Sequence, residues 1–234
     1  MPKVIAVIGA NGFVGSAICN EITRKNGFEL VRVHRGDDIN SLTKRASIII
    51  HSSNSGKRFF AKNNPETDFL ETVEKMYKIK QLAKGKKLVL VSTLSARIQL
   101  DTVYGRNRRA CELMIDDSQS LIIRLGPMYG GCKKQGALYD ILNNDTCYVS
   151  EKTRYAYVDV TYNAREIVRL IDQVGLIELG AKNAIQLGEL KNRLNSLSNF
   201  TGPDDTQISF TTQSDAPDAY DIIPYALALK KNIQ

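Results

Sequence analysis

Cysteine and histidine are both scarce in this chain. Its 234 residues carry four cysteines and two histidines, and Cys19, Cys111, Cys132 and Cys147 lie far apart with no CxxC pair. Such spacing offers neither a zinc ligand set nor a disulfide framework, and a reducing, cytoplasmic setting is the expectation. Long apolar runs are missing too. None approaches the ~20 residues needed to span a bilayer, and MPKVIAVIGA leads straight into a candidate strand, so a soluble protein with no membrane partner is expected. Repeats and low-complexity tracts are not evident. The length suits one domain, or one domain with a small appended lobe, and allows a substantial core.

Acid is in deficit: Lys and Arg exceed Asp and Glu by a formal net charge of +7. Charge of that sign attracts nucleic acid, an acidic partner or an anionic cofactor and substrate. The basic residues are scattered through helical stretches such as KMYKIKQLAKGKK, with no aromatic-interleaved strand or recognition-helix pattern. No specific nucleic-acid partner is expected.

What is present begins at Val4. The run Val4, Ile5, Val7, Ile8 reads as a strand buried on both faces, and it stops at Gly9. Gly9, Gly12 and Gly15 follow at dinucleotide-loop spacing, and then Phe13, Val14, Ala17, Ile18 and Ile22 recur at helical spacing. In a strand, glycine turn and helix of this kind the first glycine allows the tight turn. The second lets the backbone approach a pyrophosphate, and the third packs the helix close, with phosphate charge at the helix N-terminus. A glycine turn in another α/β fold is the competing interpretation.

FELVRV, residues 28–33, is the second strand, and the residue at its end meets an adenosine ribose in such folds. An acid there favours NAD. Here His34 and Arg35 stand instead, so a cation lies where a 2′-phosphate sits, and NADP(H) is favoured over NAD(H). Against this, Arg35 could be plain solvated surface, with Asp37 and Asp38 neutralising it or serving the ribose themselves. Asp38 and Ile39 are placed to reach the adenine amino group and to cover its ring, and SLTKRA makes a short polar crossing to the third strand, SIIIH, residues 47–51. Ser52 and Ser53 then line the crevice at the strand ends, while His51 reads as structural.

Pro65 opens a long helix with Phe69, Val73, Met76, Ile79 and Leu82 on one face, ended by Gly85. KLVLV, residues 87–91, is the fourth strand and delivers Ser92, Thr93 and Ser95 to the same edge. A helix carries Tyr104 to Ile115, and LIIR, residues 121–124, is the fifth strand before the loop GPMYGG. Farther on, GALYDILNN reads as a helix, TRYAYVDV as a strand, YNAREIVRLIDQV as an amphipathic helix and QISFTT as a strand in a turn-rich tail.

This order of parts resembles the extended short-chain dehydrogenase/reductase family, the NAD(P)-dependent nucleotide-sugar epimerases, dehydratases and reductases. VIGANGFVG resembles the family's glycine loop, LVLVST the strand with the catalytic Ser or Thr, YGRNRRACE the catalytic tyrosine helix, and RLGPMYG the loop beside nicotinamide. RYAYVDVTYNAREIV and IQLGE resemble later segments, so the likeness covers residues 3–190. It implies an α/β, Rossmann-type doubly wound parallel sheet over residues 1–160, then a helix, strand and reduced substrate lobe over 161–234. It also implies cofactor contacts from Gly9, Asn11, Gly12, Phe13, Val14 and Gly15. Further contacts come from His34, Arg35, Asp38, Ile39, Ser52, Ser53 and Ser92, and from Tyr104, Arg108, Pro127 and Met128.

The implied chemistry is hydride exchange with nicotinamide while a tyrosine hydroxyl exchanges a proton with a substrate oxygen. Tyr104 matches the tyrosine, and Thr93 best matches the residue that orients the substrate oxygen, with Ser92 and Ser95 close enough to compete. A phenol of ordinary pKa near ~10 needs a neighbouring cation to favour phenolate. The family places a lysine one helical turn on, where this chain has Arg108, which keeps the charge and can bind ribose hydroxyls but cannot relay a proton. The chain is also short after the helix near Thr161, leaving Ser95, Lys133 and Arg154 as weak substrate candidates. The resemblance therefore implies an NAD(P)-dependent enzyme acting on a nucleotide sugar, with a homodimer left open. The alternative is a dinucleotide-binding protein of structural or regulatory role with little or no turnover.

Overall fold

Alternating side chains bury both faces of the apolar runs. The computed structural model describes residues 2–115, 118–132, 134–210 and 213–231. In it β1 (Lys3–Ile8), α1 (Phe13–Thr23), β2 (Phe28–Val33), α2 (Ile39–Thr43) and β3 (Ile48–His51) follow in order. Next come α3 (Arg58–Asn63), α4 (Pro65–Phe69), a π-helical turn (Leu70–Glu74) and α5 (Lys75–Leu82). They lead into β4 (Lys87–Thr93), α6 (Ser95–Ile98), α7 (Val103–Leu113) and β5 (Leu121–Leu125). Ala6 and Ile8 join Ile49, Leu88, Leu90 and Ile122 in one buried cluster with Met76 and Ile79 of α5 and Cys111 of α7. The intervening Ile5, Val7, Ile50, Val89 and Ile123 are just as buried, as a period of two demands of strands covered on both sides. Each such side chain contributes ~1.5–3 kcal/mol of burial.

The fold is α/β and Rossmann-like. A six-stranded sheet runs β2-β1-β3-β4-β5 with the strand Gly175–Leu179 at the far edge, and β1 pairs parallel with both β2 and β3. Strand order thus reverses at β1, with one neighbour reached by moving outward and all later strands laid on the other side. At such a switch point the connections leave the carboxyl ends of two neighbouring strands in opposite directions, which opens a crevice where ligands bind.

Two local expectations are corrected in this part. Phe69 is 48% exposed, whereas Asp68 and Thr72 are buried with Met76 and Ile79. The π turn is the reason, because its wider loop adds a residue to the helix and rotates the preceding segment relative to α5. The polar crossing after β2 is also helical: it forms α2, started by Asp38, whose carboxylate accepts from the N–H groups of Asn40 and Ser41.

The chain divides into two compact units, Met1–Leu125 with Ala164–Ile177, and Gly126–Asn163 with Glu178–Gln234. This differs from a single break near residue 160. The second unit contains β6 (Met128–Tyr129), α8 (Ala137–Asn143), β7 (Arg154–Tyr155) and β8 (Val158–Asp159), then α9 (Val160–Arg169) passes to the first unit and β9 (Gly175–Leu179) returns. It ends with β10 (Ile185–Gln186), α10 (Leu187–Arg193) and α11 (Ile222–Lys231). Tyr129, Leu138, Ile141, Tyr155 and Val158 share a buried cluster with Ile185, Leu190 and Ile222. That shared core, and not the sheet, holds the segment after β5. TRYAYVDV forms two short strands, β7 against β10 and β8 against β6, not one. QISFTT makes only an isolated bridge at Gln207 to Tyr155 and continues without strand pairing to Phe210, while Thr211 and Thr212 lie outside the described residues.

Candidate active site at the switch point

The glycine turn after β1 is shaped by close approach. Gly9 has φ +92°, and a Cβ on it would lie 2.8 Å from the Ser53 Cα. A Cβ on Gly15 would lie 2.0 Å from the Gly9 carbonyl oxygen and 2.8 Å from Ser52 Oγ, so α1 packs against the turn as closely as backbone allows. Gly12 is different. The nearest atom to a Cβ there is the Gly9 oxygen at 3.2 Å, and the rest of its surroundings are open. Gly12 also starts α1 with no side-chain cap and no acid in the first turn, which leaves the positive end of an 11-residue helix without a built-in anion. A pyrophosphate fits this cradle. Asn11 is exposed, and Phe13 and Val14 are half-buried beside it.

The other wall is the end of β3. Ser52 Oγ donates to the Ile8 carbonyl at 3.0 Å, and Ser53 Oγ lies 3.2 Å from His51 Nδ1, so both hydroxyls are engaged within the wall. His51 is fully buried, and its Nε2 has no partner. Burial foremost, with the nearby Lys75 charge, lowers its pKa to about 3, which keeps the ring neutral.

At the end of β2 the His34 N–H donates to Asp37 Oδ2 at 2.8 Å. Asp38 uses Oδ1 to cap α2, and Ile39 is the half-buried first residue of that helix. Arg35 is exposed and pairs with Glu71 of the π turn at 3.1 Å. One turn farther along, Lys75 Nζ donates to the Ser53 carbonyl at 2.8 Å. Burial lowers the Lys75 pKa, Glu71 opposes the shift, and Arg108 and Arg35 add to it. Glu71 and Lys75 escaped the sequence reading because their partners lie 36 and 22 residues away, with no local pattern to mark them.

Tyr104 and Arg108 stand on α7. Thr102 caps this helix by accepting from the Gly105 N–H at 3.0 Å, and Gly105 fits because a Cβ would lie 2.0 Å from the Gln99 oxygen. Tyr104 is 7% exposed, and the Arg108 guanidinium lies 4.3 Å from its ring centroid. Arg108 gives both terminal nitrogens to Asp68 at 3.2 Å, donates to Thr72 Oγ1 at 2.7 Å and to the Ser55 carbonyl at 2.5 Å, and only its Nε lacks a partner. Both side chains are 2% exposed. A guanidinium matched in this way by a buried carboxylate is held inside the wall, with both terminal nitrogens already bonded.

The remaining hydroxyls separate clearly. Ser92 donates to Glu112 at 2.6 Å, and Glu112 also takes two hydrogen bonds from Arg124, tying β4, β5 and α7 together beneath the surface. The Ser92 hydroxyl is thus engaged within the fold. Ser95 is 1% exposed and starts α6, so it presents no surface for a substrate. Thr93, at the end of β4, is half-buried and accepts only a 3.3 Å bond from the Ser95 N–H. Pro127, Met128 and Arg154 belong to the second unit, where the Pro127 carbonyl accepts from the Val158 N–H, Met128 pairs with Val158 and Arg154 is exposed in β7. Lys133 lies outside the described residues. Among those described, no cluster of three acidic, cysteine or histidine side chains suits a metal ion, and no helix is long and apolar enough to cross a membrane.

Comparison places this geometry among known folds. No protein-family profile matches the chain. A UDP-2-acetamido-2,6-beta-L-arabino-hexul-4-ose reductase of Pseudomonas aeruginosa is 26% identical over 113 residues, covering 46% of this chain and 29% of that protein, so the match spans under a third of its relative. Among solved structures, a UDP-glucuronic acid 4-epimerase from Bacillus cereus, in complex with a fluorinated UDP-glucuronic acid and NAD, superimposes with a TM-score of 0.83. It is 14% identical, and the match covers 99% of this chain and all of that one. A dTDP-4-dehydrorhamnose reductase from Bacillus anthracis, in complex with NADP, has a TM-score of 0.77 at 15% identity, covering 98% and 99%. These solved structures are of nucleotide-sugar epimerases and reductases, and this chain shares their fold.

Proposed function

We propose that the chain binds a nicotinamide dinucleotide and uses it as an oxidoreductase or epimerase on a nucleotide sugar, with NADP(H) preferred over NAD(H). The observation that carries this is the glycine cradle at the switch point, where Gly9 and Gly15 are forced by contact and Gly12 is left open toward an uncapped helix. Gly12 and the α1 N-terminus hold the pyrophosphate, and Ser52 and Ser53 form the wall beside it. Arg35 meets the 2′-phosphate. When bound, the nicotinamide supplies hydride exchange with the substrate carbon. Tyr104 Oη passes the matching proton to or from the substrate oxygen, and Thr93 Oγ1 orients that oxygen. Arg108, its guanidinium 4.3 Å from the Tyr104 ring centroid, holds the ring in place by a cation–π contact.

A second reading draws on the same arginine. With its charge matched by Asp68 and no proton-relaying amine on α7 one turn beyond Tyr104, the chain would bind the dinucleotide without turnover, in a structural or regulatory role. Titration with NADPH, followed by a turnover assay on a panel of UDP- and dTDP-sugars with wild type and Tyr104→Phe, separates the two. The enzyme reading expects turnover that Tyr104→Phe abolishes while binding is retained. Tight NADPH binding with equal absence of turnover in both proteins establishes the second reading. No binding of either dinucleotide overturns both.

A further inference from the structure

Selectivity between the two dinucleotides is the property on which the end of β2 leaves the most unexplained charge. The sequence there has no acid at the ribose position, but the structure brings one from elsewhere: Glu71, carried on the π turn, lies 3.1 Å from Arg35. Building on the dinucleotide-binding reading above, we propose that Glu71 is a specificity-determining residue that acts through Arg35. Its carboxylate occupies the guanidinium that a 2′-phosphate needs, and so holds the preference for NADP(H) below what Arg35 alone would give.

The argument is one of competing anions. A 2′-phosphate must displace Glu71 from Arg35 or share the arginine with it, and in either case two negative groups approach each other. NAD(H), with a neutral 2′-hydroxyl, meets no such repulsion. The placement of Glu71 is built in, because the π turn that turns Asp68 and Thr72 toward Arg108 also sets Glu71 on the Arg35 side. Lys75, one turn from Glu71, bonds the Ser53 carbonyl and interacts with the Glu71 carboxylate through its charge, which tempers the competition without removing it. The Arg35 and Glu71 side chains are 88% and 41% exposed, so water and salt weaken the competition. A shift of about three- to ten-fold is the scale for one charge at this separation.

The test measures Kd for NADPH and NADH, at one low ionic strength, in wild type, Glu71→Gln, Arg35→Ala and the double variant. Glu74→Gln serves as a control of equal charge change, because Glu74 sits on the same turn but pairs with Lys78 at 2.5 Å. The expected result is that Glu71→Gln raises the NADPH to NADH affinity ratio about three- to ten-fold while Glu74→Gln leaves it within two-fold. In the Arg35→Ala background Glu71→Gln then changes the ratio by less than it does in wild type. An unchanged ratio in Glu71→Gln, an equal rise in Glu74→Gln, or a rise that is undiminished without Arg35 overturns the inference while leaving dinucleotide binding intact. If wild type binds neither dinucleotide, the dinucleotide-binding reading itself fails and the inference falls with it.

Discussion

A buried charge is stable only with its partner, and Arg108 shows how much rests on one choice. Its guanidinium is fully enclosed with Asp68, and Thr72 and Ser55 complete its hydrogen bonds. Removing the carboxylate leaves an unmatched cation in the wall, so Asp68→Ala is expected to cost ~3–5 kcal/mol in urea unfolding. Arg108→Lys keeps the charge but loses the planar fork that serves four acceptor atoms, with an expected cost of ~1–3 kcal/mol. An Asp68→Ala protein of wild-type stability would show that the pair is not buried in solution. Arg35 tests the opposite situation, an exposed charge that matters to ligand and not to fold. Arg35→Ala is expected to leave unfolding within ~0.5 kcal/mol and to weaken NADPH binding about ten-fold with little change for NADH, read by titration of both. Equal effects on the two dinucleotides would remove Arg35 from the 2′-phosphate site.

At the scale of the element, the strand, glycine turn and helix at the start of the chain separate two kinds of glycine. Gly15→Val places a side chain into the Gly9 carbonyl, 2.0 Å from the Cβ, and α1 must move off the sheet, so cooperative unfolding at markedly lower urea is expected. Gly12→Val meets only a 3.2 Å contact and should stay folded by circular dichroism, while its side chain fills the space a pyrophosphate enters and abolishes dinucleotide binding. If the two variants behave alike, the turn is structural throughout. This element was legible in the sequence because every contact that shapes it lies between nearby residues or against a neighbouring strand end. The helix opened by Pro65 was legible only in part. Its start and its buried Met76 and Ile79 follow from spacing, but the π turn moves Asp68 and Thr72 inward in place of Phe69, and no periodicity of 3.6 predicts an inserted residue.

For the whole molecule, His51 sets part of the response to acid. Its folded pKa of about 3 lies below the ordinary 6.5, so between these values the unfolded chain binds a proton that the native chain refuses. The contribution is complete above pH ~6.5 and is lost as pH falls toward 3, at about 1.4 kcal/mol per unit. Wild type should therefore lose ~2 kcal/mol more than His51→Gln between pH 7 and pH 5 in parallel urea titrations. Identical acid limbs would mean that His51 is not held neutral in the core.

The sequence by itself determined five of the sheet's six strands, β1 to β5, the glycine turn and the helix that presents Tyr104, because each depends on burial pattern and backbone freedom within a few neighbouring residues, whereas the edge strand Gly175–Leu179 was not legible in it. Tertiary structure alone decided which partners the long charged side chains take. Arg108 meets Asp68 across 40 residues and Ser55 across 53, and Arg35 meets Glu71 across 36. It also decided that the segment after β5 shares its core with the C-terminal tail. A flexible side chain several ångströms long can reach many loops, and only the packed chain determines which carboxylate lies within hydrogen-bond distance and which is a surface away.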